Sequence, residues 1–445
     1  MKVKNLLLAG LAAIAMTACN NENEFINDEN PNLTGEQAKM RLLFSFDGNE
    51  GTRTVTPGGD DAGTELEYGA SKITVVLDYG DNQPLVFVKD LTLTKPDENS
   101  KVAVATTAPF DVAAGANVRM YAFVNPKDLK LDVKLASELA GLSVGKHLDF
   151  TAKTGLAYID GDVAKPAEKN VEKSGFLMSG QKLIKTITSG ITNNVEIEVS
   201  RVAAKLDEGT KTDLFNITSS GLTFTDNITA IGVKFVGHSY SNLVNDSYVL
   251  PVTNNFKEDF LQKYIPVRVA ETNDASYRWS TEQFTYCLEN GNSSSEKQTR
   301  VHYKAKVYFT IGGESEEATE DFYIRAVFTG NGDEKQLRVY KNWAALKAAY
   351  PILEEGKKAD DAYLGEYYIM RYVGGVCYYE APIETFETDG SRAVIVRNNW
   401  YKLSVSEVSK LGTPTPAPEP EEVPTKLVVN ARIQPWKVQI NDIKL

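Results

Sequence analysis

The sequence is poor in the side chains that most often serve in catalysis and metal binding. Its 445 residues include three histidines, His147, His238 and His302, which lie far apart without the spacing of metal ligands. Positive charge is also scarce: 48 Lys and Arg stand against 60 Asp and Glu, giving a formal net charge of -12. This balance argues against nucleic acid or an anionic membrane surface as a partner.

Signatures of catalysis and cofactor binding are missing as well. There is no P-loop, dinucleotide fingerprint, HExxH helix or calcium loop. Residues 237–241 approach a nucleophile elbow, but Ser241 replaces its last glycine and no helical pattern follows. We therefore expect a protein that is not an enzyme and has no cofactor or metal. A lipid-anchored hydrolase with dispersed carboxylates is the least favoured alternative.

The N-terminus has the pattern of a lipoprotein signal peptide. Lys2 and Lys4 precede a short apolar run, which ends at Thr17-Ala18-Cys19. We expect a signal peptide over residues 1–18, acylation of the Cys19 thiol, and an acidic, disordered tether over residues 19–39. The membrane is then a partner only through this lipid. The other two cysteines, Cys287 and Cys377, either pair or remain buried thiols, and their spacing leaves both possibilities open.

The rest of the chain is predicted to be all-β. Short runs with period-two alternation recur between turn clusters, as at Val195, Ile197 and Val199. Helical patterns are few, the best being residues 136–142 and 343–350. Many short strands over this length favour β-sandwiches, and we place two, over residues 54–210 and 211–412.

The C-terminus has the pattern of strand-like arms on a stiff linker. Repeated proline marks residues 413–426 as an extended linker, and residues 427–445 follow it. A detached strand leaves backbone groups unpaired unless it finds another strand, and folding back on its own domain is the alternative. The apolar residues that alternate in the arms, on either side of the break at Pro435, are Leu427, Val429, Ala431, Ile433, Trp436, Val438 and Ile440.

Several short segments, in order along the chain, resemble the fimbrillins, the subunits of type V pili. Residues 394–403, VIVRNNWYKL, are similar to a strand near the end of that family, and residues 433–438, IQPWKV, resemble its closing strand. Residues 177–180 and 199–205 are similar to recurrent features of its first half. Within the family the chain is most similar to the major subunits of short fimbriae.

That resemblance implies two transthyretin-like β-sandwich domains and a detachable C-terminal donor strand. It also implies an arginine-specific protease that removes a leading strand, whose groove then accepts the arm of another subunit. We assign residues 40–53 as the leading strand and cleavage loop, with Leu42, Phe44 and Phe46 on one face. Cleavage between Arg53 and Thr54 is favoured over Arg41, because cutting at Arg41 leaves the strand attached.

The expected function is that of a structural subunit of a surface fimbria that supports cell adhesion. Its partners would be copies of itself, other fimbrial subunits and the maturing protease, and its precursor would be anchored in the outer membrane. The alternative is a glycan-binding surface lipoprotein. Its sugar-stacking platform would consist of Tyr363, Tyr367, Tyr368, Tyr372, Tyr378 and Tyr379.

Overall fold

The structure is a computed structural model. It describes residues 35–45, 72–80, 83–94, 105–126, 131, 133–142, 176–211, 213–217, 221–244, 247–250, 264–265, 279, 284–292, 294, 297–329, 334–387, 390–392, 394–416 and 427–435. The chain divides into two compact units, Met1–Gly35 and Glu36–Leu445, and every element below belongs to the second. Cys19, Arg53, Thr54, Phe46, Trp436, Val438 and Ile440 lie outside the described residues.

The first part of the chain forms a nine-stranded sheet with the order β5-β1-β4-β3-β2-β6-β7-β9, in which β8 also pairs with β1. Its outward and inward residues alternate, and Val195 and Ile197 of β8 are buried as the period-two pattern predicts. The strands are β1 Gln37–Ser45, β2 Lys72–Asp78, β3 Val86–Thr94, β4 Ala105–Thr107, β5 Phe110–Ala113, β6 Gly115–Val124, β7 Met178–Ile187, β8 Thr192–Glu198 and β9 Ser200–Arg201.

One predicted boundary needs correction. The tether was expected to extend to residue 39, yet β1 begins at Gln37. The reason is that Ala38 continues the alternation of Met40 and Leu42 and is buried with them. Residues 37–39 therefore belong to the strand and not to the tether.

The later residues form smaller sheets with the orders β16-β10-β25-β26, β11-β13-β17-β18 with β22 beside β17, β12-β20-β19-β21, β14-β15 and β23-β24. The strands are β10 Ala204–Glu208, β11 Phe215–Asn216, β12 Leu222–Phe224, β13 Ile228–Ser241, β14 Leu243–Val244, β15 Tyr264–Ile265, β16 Phe284–Cys287, β17 Arg300–Ile311, β18 Glu314–Glu317, β19 Phe322–Thr329, β20 Glu334–Tyr340, β21 Ile369–Tyr372, β22 Val376–Pro382, β23 Thr385–Glu387, β24 Gly390–Arg392, β25 Asn399–Val408 and β26 Leu427–Pro435.

Helices are short and few among the described residues: α1 Ala136–Ala140, α2 Trp343–Ala349 and α3 Asp361–Glu366, with 3-10 turns at Glu355–Lys357 and Val373–Gly375. Side chains cap α2 and α3, because the carboxamide of Asn342 accepts from Ala345 N and the carboxylate of Asp360 accepts from Tyr363 N. Helices at residues 136–142 and 343–350 were predicted, whereas α3 was not. None of the helices in the described part is long and apolar enough to cross a membrane.

The main core lies between two of the later sheets. Val233 and Val307 of one sheet pack in the same cluster as Phe322, Ile324 and Val339 of the other. The predicted all-β class is thus confirmed. The sheets change near residue 202, because β10 already pairs with β16 and β25. The division into two sandwiches at residue 210 stays a prediction.

Candidate functional site

The leading strand β1 is an interior strand of its sheet. On one side it pairs antiparallel with β5 and then β4, through Gln37–Met40 and Leu43–Phe44. On the other side it runs parallel to β8, with Lys39 opposite Thr192 and Ser45 opposite Glu198. Its backbone is therefore bonded on both sides, as in the middle of a continuous sheet.

The side chains of β1 fill the core beneath the sheet. Met40, Leu42 and Phe44 are fully buried and Ala38 is 4% exposed. The Leu42 amide also donates to Thr107 Oγ1 at 3.1 Å. Leu42 and Phe44, two of the three residues assigned to the apolar face, are therefore core residues. Loss of this strand would leave a slot with apolar pockets and two unpaired strand edges.

The first C-terminal arm forms strand β26, which pairs antiparallel with β25 of the same chain. The register places Pro435 opposite Asn399 and Leu427 opposite Val408, with one irregularity between Val405 and Glu407. β26 ends the sheet order, so its backbone is paired on one side. The isolated chain thus has the fold-back arrangement that was the alternative to a free arm.

The strand that holds this arm is anchored by buried polar contacts. Trp400 Nε1 donates to Asp207 Oδ2 at 2.8 Å, which ties β25 to β10. Just before β25, the Arg397 guanidinium forms a buried ion pair with Glu289 at 2.6 Å and donates to Val249 O at 3.0 Å. The resemblance located Arg397, but Glu289 and Asp207 were missed, because nothing in their local sequence indicates a partner more than 100 residues away.

One buried group of side chains has the order of a catalytic triad. Ser241 Oγ lies 2.7 Å from His302 Nε2, and His302 Nδ1 lies 3.5 Å from Glu380 Oε2. Ser241 is fully buried in strand β13, so no substrate carbonyl can reach its hydroxyl. The arrangement is a hydrogen bond between β13 and β17, with the Glu380 carboxylate of β22 beside the imidazole. Across the described ranges, no three His, Cys, Asp or Glu residues are placed to hold a metal ion.

The tyrosines proposed as a sugar platform do not form one surface. Tyr372, Tyr378 and Tyr379 are buried, whereas Tyr363 in α3 and Tyr367 at its C-terminal end contact each other with tilted rings, their centroids 5.1 Å apart. Tyr368 is 60% exposed and contacts Phe328 instead. The reason is that β21, which contains Tyr372, and β22, which contains Tyr378 and Tyr379, belong to different sheets. Tyrosines that are near one another in sequence are therefore not on one face. Cys287 and Cys377 are both buried, and no disulfide joins them.

One family model matches the C-terminal part of the chain. Residues 370–442, which begin within β21 and include β22 to β26, match the family model described as "Major fimbrial subunit protein type IV, Fimbrillin, C-terminal". No curated protein sequence matches the chain significantly.

Solved structures that match the chain include a fimbrilin (fimA) from Porphyromonas gingivalis W83, with 16% identity, 90% of this chain and 98% of that chain covered, and a TM-score of 0.47. A putative cell adhesion protein from Parabacteroides distasonis ATCC 8503 has 12% identity, 90% and 100% coverage, and a TM-score of 0.48. Another, from Bacteroides eggerthii DSM 20697, has 15% identity, 91% and 98% coverage, and a TM-score of 0.43.

The family match covers the segments that resembled fimbrillins in the second half of the sequence, including residues 394–403 and 433–438. Residues 370–442 are thus similar to the C-terminal region of the fimbrillins, in agreement with the resemblance seen in the sequence.

Proposed function

We propose that this protein is a structural subunit of a surface fimbria and polymerises by strand exchange. The observation that supports this best is the contrast between two strands at the ends of the chain. β1 fills an interior slot and is bonded on both sides. β26 lies at the end of a sheet, after a proline-rich linker, and is bonded on one side. In the proposal, β1 is removed and the arm of another subunit takes its place.

The exchange is favourable in backbone pairing. An arm that leaves β25 gives up one ladder, and in the slot of β1 it gains neighbours on two sides, β8 and β4 with β5. These neighbours run in opposite directions, so an incoming strand is antiparallel to at least one of them in either orientation.

The arm also supplies side chains of the right kind. Four alternating apolar residues would replace the buried side chains of β1: Leu427, Val429, Ala431 and Ile433. At about 1.5 to 3 kcal/mol for each larger side chain, their burial contributes roughly 5 to 10 kcal/mol before the costs of association. A tail-to-slot contact of this kind is open-ended, as a fibre requires.

Maturation is part of the proposal. Cleavage between Arg53 and Thr54 frees β1, whereas Arg41 lies within β1 opposite Asn194, where a protease would have to unfold the sheet first. Before cleavage, Cys19 anchors the precursor in the outer membrane through its lipid. Metabolic labelling with a fatty acid tests this anchor, and a Cys19→Ser chain that is still labelled would remove it.

The polymerisation test compares three forms of the chain on unheated SDS gels. The chain cleaved after Arg53 is expected to form SDS-resistant ladders, and the uncleaved chain is not, because β1 still occupies the slot. The cleaved chain that carries Val429→Asp and Ile433→Asp is expected to stay monomeric, because two charges would enter apolar pockets. Asn430→Asp, which adds a charge on the other face of the arm, is the control. Ladders of equal length from the Val429/Ile433 variant would overturn strand exchange by this arm.

A further inference from the structure

Two arginines face each other on the helix-covered side of the sheet that contains β19 and β20. The strand register pairs Arg325 with Arg338 directly, next to the pair Tyr323 and Tyr340. Tyr323 and Tyr340 pack against α2 and α3, so the two arginines share that face. Like charges directly opposite on an antiparallel pair are destabilising. A negative charge placed between the two arginines would therefore relieve their repulsion.

The hydroxyl groups of Tyr340 and Tyr350 lie beside these arginines. The Arg325 guanidinium is stacked over the ring of Tyr350, 3.8 Å from its centroid. Arg325 Nε donates to the Tyr367 carbonyl at 3.2 Å, and Tyr340 Oη donates to Tyr350 Oη at 3.2 Å. We call Arg325, Arg338, Tyr340 and Tyr350 the arginine–tyrosine cluster.

Four carboxylates of this region are committed to other partners. Asp321 and Asp361 both pair with Arg371, at 3.3 and 2.9 Å. Glu355 accepts from Trp343 Nε1 at 2.8 Å, and Asp360 pairs with Lys357 at 2.8 Å. Among the residues that the structure describes, no carboxylate forms an ion pair with Arg325 or Arg338. The cluster thus holds two positive charges that this part of the chain does not neutralise.

Donor capacity remains within the cluster. The Nε atom of Arg338 is buried and has no acceptor within the described part of the chain. Arg325, Arg338 and Tyr350 are half-buried, so a small group can reach the exposed parts of these side chains from solvent, although Arg338 Nε itself is closed to it.

The electrostatic field at the cluster also favours negative charge. Burial would raise the pKa of the Tyr350 phenol, yet this pKa is lowered from its usual value of 10.0. The opposing causes are hydrogen bonds from Tyr340 and Arg325 and the positive charges of Arg325 and Arg338. The pKa of Tyr340, which donates to Tyr350, is raised to about 12 by burial and by that hydrogen bond, so the field favours negative charge at Tyr350 beside the arginines and not at every phenol of the cluster.

We propose that the arginine–tyrosine cluster binds the oxyanion of an acidic glycan, either a sulfate ester or a uronate carboxylate. The planar forks of two guanidinium groups match such oxygens, and the phenol groups add donors and a flat ring. A protein with a net charge of -12 repels free polyanions, so a built positive site is needed to hold one. The site belongs to a single folded subunit and does not depend on strand exchange.

The test is isothermal titration of the full-length chain at constant ionic strength with sodium sulfate, sodium glucuronate and neutral glucose. Saturable binding of at least one of the two anions, with none of glucose, is expected. Tighter binding of sulfate identifies sulfate esters as the ligand, and tighter binding of glucuronate identifies uronates. Absence of binding by both anions would overturn the site.

Variants locate the bound anion. Arg325→Gln and Arg338→Gln are each expected to weaken binding at least tenfold, the effect of losing about 1.4 kcal/mol from a charge-assisted hydrogen bond. Lys357→Gln removes an equal charge from the same helical layer, where Asp360 already pairs with it, and should leave the affinity unchanged. An equal loss in all three variants would reduce the effect to net charge and refute the site.

A second measurement needs no variant. Phenylglyoxal modifies accessible arginines, and mass spectrometry of peptides measures the modification at each position. Sulfate at saturating concentration should slow modification of Arg325 and Arg338 severalfold while leaving Arg371, which is already paired with two carboxylates, unaffected. If Arg325 and Arg338 react at the same rate with and without sulfate, the cluster does not hold the anion.

Discussion

At the scale of single residues, the buried ring of His238 makes stability depend on pH. It is 4% exposed, its Nδ1 lies 3.9 Å from Glu208 Oε2, and its Nε2 has no partner among the described residues. Desolvation lowers its pKa from 6.5 to about 4. Burial also raises the pKa of Glu208. Both side chains therefore favour their uncharged forms, although their separation of 3.9 Å is within the range of an ion pair.

The sign of the effect follows from the lowered pKa of His238. Above pH 6.5 the ring is neutral whether folded or unfolded, and its contribution to stability is complete. As the pH falls from 6.5 through about 4, the unfolded chain takes up a proton that the folded chain refuses, and stability declines by about 3 kcal/mol in all. His238→Phe keeps the ring contact with Tyr240. It should flatten the pH dependence of the urea midpoint over this range, and an unchanged slope would contradict the assignment.

At the scale of elements, the contact of Gly180 in β7 with Glu198 at the end of β8, which we call the β7–β8 corner, depends on a missing side chain. A Cβ placed on Gly180 would lie 2.0 Å from the Glu198 carbonyl oxygen, a backbone atom that cannot move without shifting β8. Gly180→Ala should destabilise the fold by roughly 3 kcal/mol, measured by urea unfolding, because the overlap forces the strands apart. Gly209→Ala, with its nearest atom 3.7 Å away, is the control and should unfold near the wild-type midpoint. Equal stability of both variants would show that the corner can open.

The elements also show which features of the fold the sequence predicts and which it does not. Local period-two alternation located β8, in which Val195 and Ile197 are buried as predicted. Parallel pairing was not predictable, because β1 meets β8 across about 150 residues and β10 meets β25 across almost 200. The capping oxygens of Asn342 and Asp360 explain why α2 and α3 begin where they do, but α3 is too short for a periodic pattern.

The sequence predicted the two strands of the candidate site but not how they pair in the isolated chain. Alternating apolar residues at both ends of the chain indicated two strands, and the family resemblance indicated their relation. The fold-back of β26 onto β25 depends on a partner strand held by Asp207 and Glu289, whose roles appear only in three dimensions. Both ends of the chain thus pair within the isolated subunit, and exchange requires β1 to be cut away and β26 to leave β25.

At the scale of the whole molecule, the two ends of the chain give the proposed polymer a direction. A subunit that has lost β1 accepts an arm, and one that keeps its arm donates it. A cleaved chain that stops at Pro424 has a slot but lacks β26, so it can accept and cannot donate. It should fold, because β26 lies at the end of its sheet and the linker separates it from β25. Near-ultraviolet circular dichroism checks this fold before mixing.

Mixing then distinguishes a directional polymer from other modes of assembly. The truncated chain, added in increasing ratio to cleaved full-length chain, should shorten the SDS-resistant ladders in proportion, because each truncated subunit accepts one arm and ends growth there. The matched control is uncleaved full-length chain, which keeps β1 in its slot. It can only donate, so it should end growth at the opposite end. Ladders that keep their length at an equal ratio of truncated chain, or truncated chain that ladders alone, would show that another surface joins the subunits.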